Sequence, residues 1–384
     1  MSSETLRVIR LSILGSVAIL PVLILPAMVG ALIDYATFTE SEAGWLAAAG
    51  FAGSAIGAIA TGLRIRHFDP AKLAMGGLIA LAIFDALASL VAVMPAELFV
   101  ALRFMSGLSG AVVYAAVVAS IAATVNPEKG YGVFMVFQFG LSAIGLYGLP
   151  YLLPHIGVVG MYLGLAAAAL CSLVLAKSVV HREGAVAEPA IEVHILMRPA
   201  AILAMLGIGL YESANFMQYT YADRIGISFG LSTIETGEVL GVASLLGIPA
   251  ALLVVWIGDR FGQLGPLLAA IAVSVVAHMM LYAQNGPVTF VAAVFALGMT
   301  WAFGLAFFYA FEARLDPGGT VIVVGGFFTA SGSVVGPALA AALVRPDDFR
   351  LVIGSAIALY CVAAILVVLS AVLGRQSVAT ANQR

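Results

Sequence analysis

Long apolar runs separated by short polar turns occupy almost the whole chain. A run of roughly 18 or more apolar residues predicts a membrane-spanning helix, because about 20 residues at about 1.5 Å rise cross a hydrocarbon core of about 30 Å. Charges and turn residues divide the chain into twelve such helices. They are predicted at 11–34, 44–63, 72–94, 97–124, 131–153, 157–179, 199–222, 233–257, 264–284, 287–311, 319–343 and 350–373. We therefore predict an all-α polytopic membrane protein.

Composition supports this prediction, since 62% of the residues are hydrophobic, 10% are charged and the mean hydropathy is +1.11. A soluble domain carries about 25% charged residues. Arg7 and Arg10 precede the first apolar run, but this run is longer than the apolar core of a secretory signal and lacks a small-residue cleavage site. We interpret it as the first helix. Cys171 and Cys361 lie inside apolar runs, so no disulfide framework is indicated.

The distribution of Lys and Arg predicts the orientation. An even number of helices puts both termini on one side, where thirteen Lys and Arg residues fall, against three on the other side. The positive-inside rule therefore predicts that both termini are cytoplasmic. We expect the chain to be integral to the cytoplasmic (inner) membrane. Of the Lys and Arg residues, Arg103 alone is predicted to lie inside the membrane.

The two halves of the chain also resemble each other. Pro127 and Pro317 are 190 positions apart, as are Cys171 and Cys361, and both residues of each pair follow or occupy matching helices. A common offset indicates a parallel duplication of two six-helix halves. We predict an N-terminal half over 1–180, a cytoplasmic linker over 181–198 and a C-terminal half over 199–384.

The stretch WIGDRFGQLGP puts a charged, Gly-flanked turn between two apolar runs. It is similar to the signature loop G-x-x-x-D-R-x-G-R-[KR] of the major facilitator superfamily, in its second-half copy. Asp259, Arg260 and Gly262 occupy matching positions. The first-half copy departs further, with Arg66 and His67 where the motif has Asp and Arg.

The sequences of two predicted helices are similar to motifs of the same family. The sequence RFMSGLSG in predicted helix 4 matches its R-x-x-x-G-x-x-G pattern with Arg103, Gly107 and Gly110. In predicted helix 11, GSVVGPALAAAL carries Gly336 and Pro337 and is similar to the Gly-Pro motif of the family's antiporters, which stands in helix 5 there. Predicted helix 5 of this chain lacks the contiguous motif.

The resemblance implies a transporter in which two rigid halves rock about a central site. It also implies a cytoplasmic gate: Asp259, with Arg260 and Gly262, would contact the other half at the start of helix 5 when the cytoplasmic side is closed. The alternative is an ordinary solvated turn that merely obeys the positive-inside rule.

Ionisable residues inside a membrane cost free energy, and each is therefore a candidate for a functional role. Asp85, Arg103, Glu212 and His278 qualify. A helical hairpin that turns near Pro95 puts Asp85 and Arg103 at similar depth, so Arg103 either holds an anionic substrate or forms a structural pair with Asp85. His278 is expected to be structural.

Glu212 has no evident cationic neighbour in its own half. A carboxyl in apolar surroundings favours its protonated form, which makes Glu212 a candidate proton carrier. The alternative is a protonated Glu bonded to a neighbouring carbonyl group. We predict proton coupling at Glu212 and Asp85. Polar and aromatic residues of the cavity helices complete the predicted substrate site: Arg103, Tyr114, Gln138, Tyr147, Tyr211, Asn215, Gln218, Tyr219, Trp301 and Tyr309.

These features predict a secondary active transporter of a small amphipathic, aromatic or carboxylate-bearing solute. We expect coupling to protons, export, and function as a monomer in membrane lipid, without a cofactor, a metal or a nucleic-acid partner. The alternatives are a proton-coupled uptake permease and a uniporter. An intramembrane enzyme would need a catalytic motif such as H-E-x-x-H or G-x-S-x-G, which the sequence lacks. A channel would usually form its pore by oligomerisation.

Overall fold

The computed structural model describes residues 3–64, 68–179, 192–316 and 318–381. These residues are helical apart from turns and one isolated bridge between Arg345 and Asp348. The all-α prediction is therefore confirmed. Most of the predicted linker 181–198, the motif residues Arg66 and His67, and Pro317 of the repeat lie outside the described residues.

The first half of the chain forms helices that follow the predicted apolar runs. They are α1 (Ser3–Ala18), α2 (Leu20–Leu23), α3 (Leu25–Ala36), α4 (Glu40–Arg64), α5 (Pro70–Ala88), α6 (Ala96–Ala122) and α7 (Pro127–Ser172), with 3₁₀ turns at Val91–Val93 and Leu173–Ser178.

The second half is built in the same way. It contains α8 (Val193–Leu196), α9 (Pro199–Thr220), α10 (Ala222–Ser228), α11 (Thr233–Leu245), α12 (Gly247–Ile257), α13 (Leu264–Ala283), α14 (Pro287–Leu315), α15 (Thr320–Leu343) and α16 (Arg350–Ala381).

The first predicted helix, 11–34, is broken in the structure. Its backbone leaves helical geometry at Ile19 and Ile24, which separates α1, α2 and α3. Pro21 and Pro26 follow these breaks. A proline has no N–H group and its ring clashes with the carbonyl group four residues earlier, so an unbroken helix through both prolines is disfavoured.

Predicted helices 5 and 6 instead run together as α7, in which Gly157 has φ 59° and ψ −171°. A continuous helix of 46 residues would be about 69 Å long, more than twice the hydrocarbon core. The non-helical residue therefore separates two crossings. Within the described residues, ten helical segments are long and apolar enough to span a membrane. If α1–α3 form one crossing and α7 forms two, these segments correspond to the twelve helices that the sequence predicts.

The chain divides into two compact units. The first comprises Met1–Ala187 with Thr220–Ile227 and Ser232–Ser244, and the second comprises Glu188–Tyr219, Ser228–Leu231 and Leu245–Arg384. In the first unit, buried residues of α1, α5, α6 and α7 form an apolar core, and α4 lies against α6.

Several glycines allow the backbones of neighbouring helices to approach closely. A side chain at Gly53 of α4 would overlap the backbone of Phe104 in α6, and one at Gly107 would overlap the backbone of Gly50. In the second unit, Gly332 and Gly336 bring α15 against the backbone of α9. Lipid provides no hydrophobic drive between helices, so such close backbone packing stabilises the bundle.

Candidate functional site

Asp85 of α5 and Arg103 of α6 form a buried ion pair in the first unit. Arg103 Nη1 lies 3.2 Å from Asp85 Oδ1, and the hydroxyl group of Ser106 donates to the same oxygen at 2.7 Å. The guanidinium carbon lies 5.6 Å from the centroid of the Tyr162 ring. The hairpin therefore puts the two charges together, which is the structural alternative for Arg103.

Arg103 also lines a cavity inside the first unit. Its wall is mostly apolar side chains from α1–α4, with Ser54, Ser106 and Tyr162 among the polar contributors. Among the described residues, only Nη1 of the guanidinium group has a hydrogen-bond partner. The Tyr162 hydroxyl group is buried without one. Arg103 thus balances Asp85 on one side and borders a cavity on the other.

Glu212 of α9 is 1% exposed in the second unit. Its Oε1 accepts a hydrogen bond from the indole Nε1 of Trp301 in α14 at 3.2 Å. In the described part of the chain, no Lys, Arg or His lies within ion-pair distance of it. The structure therefore joins two predicted site residues, a buried carboxyl and a neutral donor.

A polar and aromatic network surrounds the neighbouring Tyr211. Its hydroxyl group donates to the Thr300 carbonyl group at 2.8 Å, and Ser274 donates to the Thr300 hydroxyl group at 3.0 Å. His278 Nδ1 contacts the Ser274 carbonyl group at 2.8 Å, and its ring packs edge-on against Tyr360. Tyr211 and His278 are fully buried, so both lie in the packed interior of the unit.

The other predicted substrate residues lie in both units. Gln138 Nε2 donates to the Tyr114 hydroxyl group at 3.3 Å, while Tyr147 is 47% exposed beside Tyr151. In the second unit, Gln218 is buried, and three residues are half-buried: Asn215, Tyr219 and Tyr309.

The signature loop is a turn from Gly258 to Gln263. Gly258 and Gly262 have φ of +49° and +64°, values that favour glycine. Asp259 Oδ1 accepts from Gln263 Nε2 at 2.9 Å, and Arg314 Nη1 donates to Gln263 Oε1 at 2.6 Å. Arg260 lies 5.4 Å from the Trp256 ring centroid. The carboxylate is therefore held in a short hydrogen-bond chain. No cluster that could hold a metal occurs among the residues described.

A charge cluster in the first unit was not predicted. Arg224 of α10 binds Asp34 of α3 through Nη1 at 2.7 Å and Nη2 at 2.8 Å. It also donates to Asp223 Oδ2 from Nε at 3.0 Å and Nη2 at 2.7 Å. That oxygen lies against Gly30, where a side chain would overlap it. Burial raises the pKa of Asp223 to about 6, although Arg224 lowers it in part.

Asp223→Asn is expected to reduce the pH dependence of stability. The folded pKa of about 6 lies above the ordinary 3.8, so the folded state binds the proton more tightly. The resulting stabilisation is complete below pH 3.8 and is lost as pH rises through about 6. Over this window, wild-type stability should fall relative to the variant by up to about 3 kcal/mol.

Thermal unfolding of both purified proteins across this pH window measures the difference. Glu97→Gln, at an exposed acid, is the matched control and should leave the slope unchanged. Parallel curves for wild type and Asp223→Asn would contradict the prediction.

The structure also adds a buried carboxyl that the sequence prediction missed. The predicted helix 287–311 ended one residue before Glu312, whereas α14 continues to Leu315 and Glu312 is fully buried. Phe308, four residues earlier on the same helical face, is equally buried. Continuing the apolar periodicity by one turn would have found this residue.

Comparisons with known proteins agree with this architecture. The family model described as Major Facilitator Superfamily matches residues 11–337. No curated protein matches the chain by sequence. Among solved structures, a mutant of the nucleoside transporter NupG has a TM-score of 0.79 at 11% identity and covers 96% of this chain and 100% of its own.

Two further structures are similar along nearly their full lengths. A D-xylose–proton symporter has a TM-score of 0.72 at 13% identity, and a bacterial homologue of the human lysosomal transporter Spinster has 0.69 at 12%. Each alignment covers 97% of this chain and 97% of the other protein's chain. The predicted class, an integral membrane transporter and not an enzyme, is confirmed. A family match over most of the sequence and a shared fold lead to one conclusion: this chain belongs to the Major Facilitator Superfamily.

Proposed function

We propose that this protein is a proton-coupled secondary transporter that exports a small organic solute by alternating access. It would act in the cytoplasmic membrane with both termini inside, which the thirteen-to-three distribution of Lys and Arg supports. An impermeant reagent should then reach a tag at either terminus only after the membrane is opened. Labelling of intact cells would contradict this orientation.

The environment of Glu212 is the observation that supports the proposal. It is a buried carboxyl whose hydrogen-bond donor is a neutral indole, with no cation paired to it among the described residues. Such a group exchanges a proton when its surroundings become wet, and intramembrane carboxyls of this kind mark proton pathways. One protein of similar fold is a D-xylose–proton symporter, which supports coupling by analogy of fold. Asp85 is the second coupling candidate, now paired with Arg103.

The candidate substrate residues favour an amphipathic or aromatic solute. Trp301, Tyr309 and Tyr219 offer ring faces with polar edges, and Arg103 offers a cation for a carboxylate group. NupG is a nucleoside transporter and another relative carries D-xylose, so nucleosides and pentoses join aromatic carboxylates as the first compounds to test.

Transport into proteoliposomes with an imposed pH gradient tests the function. We expect at least one compound of this panel to accumulate against its gradient, and a protonophore to abolish that accumulation. Movement opposite to the proton flow identifies export by exchange, and movement with it identifies the uptake alternative. Equal flux with and without the gradient would contradict coupling and identify a uniporter.

We further propose that Asp259 is a cytoplasmic latch. Its carboxylate would bind the exposed N–H groups at the start of α7, near Lys129, when the cytoplasmic side closes. A helix N-terminus attracts a carboxylate by about 0.3–1 kcal/mol, and by about 2 kcal/mol when partly buried. Arg260 and Gly262 would shape the turn that presents Asp259.

Asp259→Asn is expected to shift the population toward the inward-open state, because a latch formed only in the outward-open state loses its charge. Spin-label distances across the cytoplasmic face measure the shift. Asp347→Asn, at an exposed acid in another loop, is the control and should leave the distances unchanged. Unchanged distances and normal transport in Asp259→Asn would make the stretch an ordinary turn.

A further inference from the structure

Glu312 is a buried carboxyl without a partner. It lies in the last turn of α14 and is fully buried, and neither carboxyl oxygen has a hydrogen-bond partner among the described residues. Both oxygens lie against Gly325 of α15, at a place that a side chain on Gly325 would occupy. The absence of a side chain at Gly325 is what makes room for the carboxyl group.

Four helices of the second unit, α9, α12, α13 and α15, contain no Lys or Arg among their described residues that could balance Glu312. The helices α12 and α15 contain no ionisable residue, and the ionisable residues of α9 are Glu212, Tyr211 and Tyr219. The ionisable side chains of α13 are His278 and Tyr282. His278 lies about 21 Å along α13 from Leu264, the first residue of that helix. Near the end of α14, Arg314 donates to Gln263.

The remaining charges near this end of α14 are also engaged or exposed. Asp316 accepts from the backbone N–H groups of Gly318 and Val321. Glu192 and His194, next to the start of α15, are exposed and lie within ion-pair distance of each other. Among the described residues, an ionised Glu312 would therefore have neither a cation nor a donor beside it, and such a buried charge is strongly disfavoured. The protonated carboxyl group is the form that fits these surroundings.

The helix α15 covers both Glu212 and Glu312. A side chain at Gly332 of α15 would meet the Cβ atom of Glu212, as one at Gly325 would meet Glu312. These glycines are seven residues apart, about two helical turns or about 10 Å. Along α14, Trp301 and Glu312 are eleven residues apart, about three turns, and so share a face. Displacement of α15 would therefore admit water to both carboxyls.

We propose that Glu312 is a further proton-binding site of this transporter, loaded while α15 packs against it and emptied when α15 moves away. On emptying, the O–H bond of the carboxylic acid breaks, the proton passes to water and a hydrated carboxylate remains. The role in transport rests on the proposed proton coupling, whereas the binding of the proton does not.

Infrared spectroscopy of the full-length protein in lipid nanodiscs tests the proton. At neutral pH an exposed Glu is ionised, so we expect a carbonyl band of protonated carboxylic acid that is weaker in Glu312→Gln, which keeps the part contributed by Glu212. Glu312→Leu serves as a second variant without the carboxyl group and should lose the same part of the band. Identical spectra of wild type and these variants would overturn the proposal.

A matched pair of glycine variants tests the dependence on α15. Gly325→Ala would push the carboxyl group out of its place against α15, because the added methyl group would overlap both carboxyl oxygens, whereas Gly326→Ala adds its methyl group in open space. Hydration should weaken proton binding about tenfold or more in Gly325→Ala, which shifts the infrared titration to lower pH, and Gly326→Ala should titrate like wild type. Equal titration of both variants would overturn the release mechanism.

The transport assay separates this proposal from the proposed function. If wild-type protein moves solute without response to a pH gradient, proton-coupled transport fails while the infrared band still decides whether Glu312 binds a proton. If transport is coupled and the band is unchanged in Glu312→Gln, Glu312 is excluded and Glu212 stands alone.

Discussion

Glu212→Gln is expected to abolish the accumulation of substrate that a pH gradient drives, while exchange of substrate across the membrane continues. An amide has nearly the shape of a carboxyl group but does not take up or release a proton. Its carbonyl oxygen can still accept the hydrogen bond from Trp301. The variant should therefore fold and bind substrate, and lose only the step that links solute movement to protons.

Proteoliposomes containing the variant measure both activities with the same labelled compound. Accumulation is followed after a pH gradient is imposed, and exchange is followed with substrate on both sides and no gradient. Glu235→Gln is the matched control, because this exposed acid caps α11 with Ser232 and an amide can accept the same bonds. Gradient-driven accumulation at the wild-type level in Glu212→Gln would contradict the assignment of Glu212 as proton carrier.

The spans could be predicted from the sequence because an apolar run reports directly on exposure to lipid. The breaks could not be placed in the same way. Ile19 and Ile24 are as apolar as their neighbours, and the interruptions come from the backbone limits that Pro21 and Pro26 impose. At Gly157, one positive φ separates two crossings that share one apolar character.

The parts of the candidate site also differ in how far the sequence alone predicts them. Asp85 and Arg103 lie only 18 residues apart on a hairpin, so helical rise alone predicts their common depth. Glu212 and Trp301 are 89 residues apart, and Asp34 and Arg224 are 190 apart. The register of helices so distant in sequence depends on packing throughout a unit, which no local pattern contains.

Asp85→Asn and Arg103→Gln are each expected to destabilise the protein by about 3–5 kcal/mol, because either change leaves the other charge buried without its partner. The pair is 1% and 9% exposed at its side chains. Ser106 still donates to Asp85 when Arg103 is lost, so Arg103→Gln should be the milder of the two single variants. The double variant removes both charges and should recover most of the stability.

Substrate binding in the double variant then decides between the two roles of Arg103. Thermal unfolding of the four proteins gives the coupling energy, and equilibrium binding of a transported compound gives the affinity. A stable double variant that binds as wild type does would make the pair purely structural. A stable double variant that has lost affinity for a carboxylate-bearing compound would assign Arg103 to the substrate, since its guanidinium group borders the cavity as well as Asp85. Equal stability of the single and double variants would remove the pairing hypothesis, because two charges that balance each other cannot be lost independently.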